Sequence, residues 1–297
     1  MSANIYDDYF IIDEKLASDF IQNSCTAGCF SQFILRTACS ELELKVVNES
    51  GRLQIKDVAP HSTNASGPLA EIVVLKLEGA TQTIEYSTML DNGGGSVDLE
   101  FSAVSIVIRI LEKRQLIDPC PPLSFQPNDD LTVHIGKRQV TVSGSWLMSV
   151  SPVFEGMLTA KMKEQQERTL KLNSADLGFT MDQFELFLLY TSRKLWRKIL
   201  PNPTNVLDLL HLADYFQVDW LRQRCDLHLV SCAEIELLKR FLLVDRYGLV
   251  KMKDFFLRSL SVISLKEFVQ TNREHLSPAI GERFLFELTM RLSEAEE

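Results

Sequence analysis

The hydrophobic period of this chain changes once, across a cluster of four prolines, and that change limits what the chain can fold into. Pro119, Pro121, Pro122 and Pro127, followed by Asn128-Asp129-Asp130, separate two halves of different pattern. Proline lacks a backbone donor and pushes the residue before it out of the helical region, so such a cluster marks a boundary. Ahead of it, apolar residues recur with period two. Leu42, Leu44 and Val46 alternate with Glu41, Glu43 and Lys45, Asn48-Glu49-Ser50-Gly51 turns, and Leu53 and Ile55 resume the alternation, which is a hairpin pattern. Ile72 to Leu77 and Thr81 to Met89 form a second strand pair about Glu78-Gly79-Ala80. Val97, Leu99, Phe101 and Ala103 alternate again, and the run Ile106 to Leu111 reads as a strand buried on both faces. Short strands at even spacing predict an antiparallel β-sandwich-like domain over residues 1–118, with 119–128 as a proline-rich linker. Gly93-Gly94-Gly95 lacks the Gly-Lys-Ser/Thr ending of a phosphate loop and reads as a hairpin tip.

Past the prolines, Leu131, Val133 and Ile135 alternate, Gly136-Lys137 turns, and Val140 and Val142 return. From Trp146 the period becomes helical. Ser151-Pro152 supplies a cap and a first-turn proline, and Val153, Phe154, Met157 and Leu158 share one face. Thr169 to Leu172 is a short strand. Thr180-Met181-Asp182-Gln183 has the form of a capping box ahead of Phe184, Phe187 and Leu188. Further stripes are Val206, Leu209, Leu210 and Ala213, then Val218, Leu221 and Cys225, then Ile235, Leu238, Phe241 and Leu242, then Leu249, Met252 and Phe256. Ser277-Pro278 opens a last helix through Phe284, Phe286 and Leu292. The fold class expected is α+β.

Several function classes are disfavoured. No window approaches the ~18 uncharged apolar residues of a membrane span. Met1 to Phe10 has no basic start and no apolar signal core, which predicts a cytoplasmic and/or nuclear protein with reduced thiols. Cys25, Cys29 and Cys39 have no nearby fourth ligand and are read as small buried residues rather than a metal site. Residues 1–128 hold nine basic and seventeen acidic side chains, and an acidic front half repels a phosphate backbone. The one dense basic stretch, Arg193 to Lys198, is read as a solvated loop or helix face rather than a localisation signal or nucleic-acid patch. His61, His134, His211, His228 and His275 are scattered, with no nucleophile–base arrangement. No catalytic residue, metal or cofactor is expected, and neither nucleic acid nor membrane is expected as a partner.

Over residues 129–232 the order is two strands, a helix pair, a short strand and three more helices. That order resembles a BTB/POZ domain, and the residues carry the match. Leu131-Thr132-Val133-His134-Ile135-Gly136 resembles the family's first hairpin. Leu147, Ser151 and Phe154 resemble its Leu-x-x-x-Ser-x-x-Phe helix junction, and Asn205 to Asp214 with Tyr215 to Leu221 and Cys225 resembles its last helix pair. The resemblance implies a protein-interaction module of the kind found in nematode-type, MATH–BTB-like cullin-3 adaptors. It implies cullin-3 contact through Phe154, Met162 and Glu164, where Met162-Lys163-Glu164 is similar to the family's hydrophobic-x-Glu element. It implies a homodimer seam at Asp130, Trp146, Leu147 and Val150, although Ser143-Gly144 stands where the family often has a basic residue facing the acidic one. Trp146, Leu147 and Val150 could equally be internal core. Residues 233–297 resemble the helical extension (3-box or BACK-like) that widens the cullin contact. The leading expectation is a cullin-3 substrate adaptor whose residues 1–118 recruit an unknown target. The alternative is a homo-oligomerising scaffold or transcription-linked module without a ligase role.

Overall fold

The structure is a computed structural model that describes residues 4–16, 30–36, 41–49, 52–60, 67–68, 70–78, 81–90, 98–100, 104–115, 130–159, 167–172, 178–195, 198–276 and 281–293. For 30–36, 41–49, 52–60, 98–100 and 104 it describes the backbone alone. Cys25, Cys29, Cys39, the triple glycine, the proline cluster, Met162 and Glu164 lie outside the described residues. The chain divides into two compact units, Met1–Arg114 with Asp226–Glu297, and Gln115–Cys225.

The first unit begins with a helical turn, Ile5–Asp8, whose Asn4 cap accepts from the Tyr6 amide. Its strands are β1 (Tyr9–Leu16), β2 (Phe30–Arg36), β3 (Glu41–Glu49), β4 (Arg52–Pro60), β5 (Ala70–Glu78), β6 (Thr81–Leu90), β7 (Asp98–Glu100) and β8 (Val104–Lys113). They make two four-stranded antiparallel sheets, ordered β1-β8-β5-β6 and β2-β3-β4-β7. Place in the sheet explains pattern. The central strands β5 and β8 carry near-continuous buried runs, Ile72 to Leu75 and Ile106 to Leu111, whereas edge strand β6 is mostly exposed. Val73, Leu75 and Val107 form one core cluster, with Leu16 and Ala233 packed against it. The strands expected around 42–55, 72–89 and 106–111 are present. β1 and β2 have no counterpart in the sequence reading.

One residue of the β8 run is charged. Arg109 is completely buried, and its partners are all in this unit. Its Nε donates to Glu14 at 3.0 Å, and its two terminal nitrogens donate to the two Glu234 oxygens at 2.5 and 3.1 Å. Nη1 also reaches the Tyr6 hydroxyl at 2.7 Å and Glu71 at 3.2 Å. Glu14 further accepts from Ser231 Oγ at 2.6 Å and lies 3.0 Å from His228 Nδ1. Burial alone would raise the Glu14 carboxyl, but His228, Arg109 and Ser231 together outweigh it and bring it from 4.5 down to about 2. Glu234 is likewise held low, burial being outweighed by the Arg109 hydrogen bonds. A carboxylate depressed in the fold contributes its stability above its unfolded value and loses it as pH falls through the folded one. The melting temperature of this unit is therefore expected to fall between pH about 4.5 and 2. Glu14→Gln should flatten that slope in a pH series of thermal melts, and an unchanged slope would contradict the assignment.

Helices complete the unit. Arg240, completely buried, donates to the Leu229 and Val230 carbonyls at 2.9 and 3.3 Å and so closes the last turn of helix Asp219–Ser231. It also binds Gln82 on β6. Asp226 accepts from the Lys251 and Met252 amides at 2.8 and 2.9 Å, capping helix Val250–Asp254 from outside. Helix Leu237–Tyr247 ends on Gly248, whose φ of 61° is the left-handed conformation that favours glycine. Phe241 sits among Phe256, Phe268 and Phe284, with ring centroids 4.7, 5.2 and 5.1 Å away. The C-terminal part also holds a π-helical turn, Phe255–Ser259, and helix Glu282–Ser293. No helix among the described residues is long and apolar enough to cross a membrane.

Candidate functional site

The second unit is built on a hairpin. β9 (Asp130–Ile135) and β10 (Arg138–Ser143) pair antiparallel around Gly136, and β11 (Thr169–Leu172) adds to β9 in parallel. Leu131, Val133 and Ile135 point into the core, as their alternation requires. Two helices follow, Gly144–Val150 and Pro152–Thr159. Ser143 caps the first, accepting from the Trp146 amide at 3.3 Å. Ser151 joins the two: its Oγ accepts from the Phe154 amide at 3.3 Å and donates to the Phe216 carbonyl at 2.6 Å. The expected capping box at Thr180 to Gln183 is present and starts helix Met181–Thr191. Asn205 Nδ2 donates to the Tyr190 hydroxyl at 2.9 Å, fixing the start of helix Val206–Tyr215 to the preceding helix.

Phenylalanines fill the interior. Phe154 stacks on Phe216 with centroids 4.5 Å apart and planes 17° apart, and Phe179, Phe184 and Phe187 surround the Phe216 ring at 5.8, 5.9 and 5.1 Å. The helix that precedes residues 160–166 is therefore anchored from below by one ring and one serine. Phe154 is completely buried, so its side chain sets the position of that helix and offers no surface to a partner. Met162 and Glu164 lie outside the described residues.

The four residues expected at a homodimer seam fall into different settings. Leu147 is completely buried and belongs to the core. Trp146 is half-buried, donates from Nε1 to the Thr191 carbonyl at 2.9 Å, and carries the Arg193 guanidinium over its ring at 4.9 Å. Val150 is half-buried. Asp130 is half-buried opposite Ser143 in the hairpin register, and its Oδ1 is buried with no hydrogen-bond partner among the described residues. Ser143 and Gly144 carry no charge and so bring no cation to it, and the Ser143 hydroxyl is engaged as the helix cap. The structure thus brings Asp130 and the helix start together, and places Trp146 and Leu147 in contact with their own chain. The tertiary roles of Ser151 and Trp146 were not legible beforehand. Ser151 had a local signal, the cap before Pro152, but its bond to Phe216 spans 65 residues.

Among the described residues no group of three or more His, Cys, Asp or Glu side chains is disposed to hold a metal ion. Cys225 and Cys232 are buried, and neither takes part in a disulfide among the described residues. Burial pushes the Cys232 thiol well above its ordinary value, which makes it unreactive.

Comparison with known proteins agrees with this architecture. Residues 125–233 match the BTB/POZ domain family. A relative from Caenorhabditis elegans, BTB and MATH domain-containing protein 38, is 25% identical over 148 residues. That stretch covers 49% of this chain and 36% of the relative, so the chain spans well under half the length of the relative it matches.

Proposed function

From a chain that carries a BTB/POZ domain over residues 125–233, we infer a protein-interaction adaptor that recruits a target protein to a cullin-3 ubiquitin ligase. The domain match carries this reading. The hairpin, the Ser151–Phe154 junction and the phenylalanine core are the scaffold on which such a module presents the segment after helix Pro152–Thr159. We assign cullin contact to Met162 and Glu164, with Phe154 acting through the helix it anchors. The relative's name couples a BTB with a MATH domain, and two antiparallel sheets stand ahead of the BTB domain here. Both observations support target recruitment by residues 1–118. Under this reading 119–128 is the linker, and 233–297 is the helical extension beside the docking module.

A second reading, a homo-oligomerising scaffold, is favoured by one observation. The buried Asp130 oxygen without a partner among the described residues is a group that a cation from another copy would satisfy. Co-elution with the cullin-3 N-terminal region on size exclusion separates the two. A one-to-one complex at micromolar concentration supports the ligase adaptor. Elution of the chain as a self-associated species that ignores cullin-3 supports the scaffold.

A further inference from the structure

The basic stretch that follows helix Met181–Thr191 is pinned to the fold of its unit. Leu195 and Ile199 are buried, and the Leu195 carbonyl accepts from the Lys198 and Ile199 amides at 2.7 and 3.1 Å. Ser192, also buried, caps this turn: its Oγ accepts from the Leu195 amide at 3.3 Å. At one end Arg224 Nη1 donates to the Ile199 carbonyl at 3.2 Å. At the other the Arg193 guanidinium lies over the Trp146 ring, whose Nε1 is bound to the Thr191 carbonyl. Buried apolar residues thus fix the backbone, and Arg193, Lys194 and Lys198 stand exposed on it.

The positive charge here is not offset. Residues 186–207 contain Arg193, Lys194, Arg197 and Lys198 and no acidic side chain. The helix that supplies Trp146, Gly144–Val150, has no charged residue. Asp182 and Glu185 are held by Arg138, and Asp208 accepts from Gln183 at 2.8 Å. All three thus stand toward the first turn of helix Met181–Thr191, about 10–15 Å from its end at 1.5 Å per residue. That exceeds the screening length of about 8 Å at physiological salt. Asp219 is paired with Arg222 at 2.8 Å. Asp130, across the hairpin from the start of helix Gly144–Val150, is half-buried, and one carboxylate leaves three exposed cations in excess. Among the described residues none of the three has a carboxylate partner.

The surroundings select among anions. Arg193 already covers the Trp146 ring, which closes that face to a stacking base. A chain of net charge -9 also repels an extended phosphate backbone. A short run of carboxylates meets both limits. The fork of Arg193 can take both oxygens of one carboxylate, and Lys194 and Lys198 add point charges for its neighbours. We propose that Arg193, Lys194 and Lys198 form a docking site for an acidic peptide segment of a partner protein. The site is argued from the charge and packing of this stretch and does not depend on the cullin-3 reading.

The test uses the full chain and two short fluorescein-labelled peptides, one rich in glutamate and one with glutamine in the same places. A labelled single-stranded oligonucleotide of equal charge is the third probe. In fluorescence anisotropy at about 0.15 M salt the glutamate peptide should bind and the glutamine peptide should not. Lys194→Glu with Lys198→Glu should weaken the glutamate peptide by at least roughly tenfold, with an unchanged melting curve. Lys137→Glu with Lys171→Glu, at two exposed lysines elsewhere in the same unit, makes the same change in net charge and should leave binding as it is. No binding by wild type, or equal binding of the two peptides, overturns the proposal. So do equal losses in the two double variants, since net charge alone would then attract the peptide. An oligonucleotide that binds more tightly than the glutamate peptide overturns it in favour of nucleic acid. A wild-type dimer that the Lys194 and Lys198 variant dissolves gives the patch to a second copy, and loss of cullin-3 binding in that variant gives it to cullin docking; either result overturns the proposal.

Discussion

Replacing Arg109 by methionine is expected to cost the unit built from Met1–Arg114 and Asp226–Glu297 about 3–5 kcal/mol. Methionine nearly fills the volume, so packing changes little and the loss is electrostatic. Arg109 is completely buried, and Glu14 and Glu71 beside it expose less than a tenth of their side chains. Without the guanidinium, these two carboxylates remain in a place that water does not reach. Glu234 is about a quarter exposed and can turn toward solvent, so it adds less. Lysine should not rescue, because the site uses the fork of Arg109 on several acceptors at once and a point charge cannot reproduce it. Neutralising the acceptors should rescue: Glu14→Gln with Glu71→Gln in the methionine background recovers much of the loss. Denaturant unfolding followed together with hydrogen exchange at β8 reads this out. A shift below about 1 kcal/mol would mean that the carboxylates find water or protons without difficulty.

The second large effect lies in the other unit. Phe154→Ala is expected to destabilise Gln115–Cys225 by about 3–5 kcal/mol, through the cavity left beneath helix Pro152–Thr159 and the loss of stacking on Phe216. Phe154→Leu should cost less and keep the helix in place. The pair separates two roles that look alike in a binding assay. If Phe154 acts only through the fold, the leucine variant binds partners like wild type at temperatures where it is folded. If the ring itself touched a partner, the leucine variant would be folded and would still bind poorly. Complete burial of Phe154 favours the first outcome.

Much of this arrangement was legible because local chemistry dictated it. The hairpin at Gly136, the capping box at Thr180 and the cap at Ser151 depend on residues within a few positions of one another, and periodicity placed most later helices. Strand β1 escaped because Asp13-Glu14-Lys15 breaks its apolar alternation, and the reason for that break is tertiary: Glu14 is a buried acceptor for Arg109. Arg109 itself sits unremarked in an apolar run, since its partners stand 38 to 125 residues away and no local pattern joins them. The same holds for the helices after residue 226, which fold with the N-terminal sheet through Arg109–Glu234 and Arg240–Gln82. In the second unit, the family resemblance identified the BTB/POZ domain, and residues 125–233 match that family. It did not reveal that Leu147 is core or that Trp146 is tied to Thr191, because both facts arise from packing between distant segments. Asp130 shows the converse. Its missing cation was visible in the sequence as Ser143-Gly144, and the structure leaves Oδ1 without a partner among the described residues.

Isothermal titration of the purified chain with the cullin-3 N-terminal region, alongside Met162→Ala and Glu164→Lys, tests the adaptor reading most directly. Tight binding by wild type that either substitution weakens by at least roughly a hundredfold, with unchanged melting curves, is the expected result. Folded wild-type protein that does not bind, or two variants that bind as well as wild type, would contradict it.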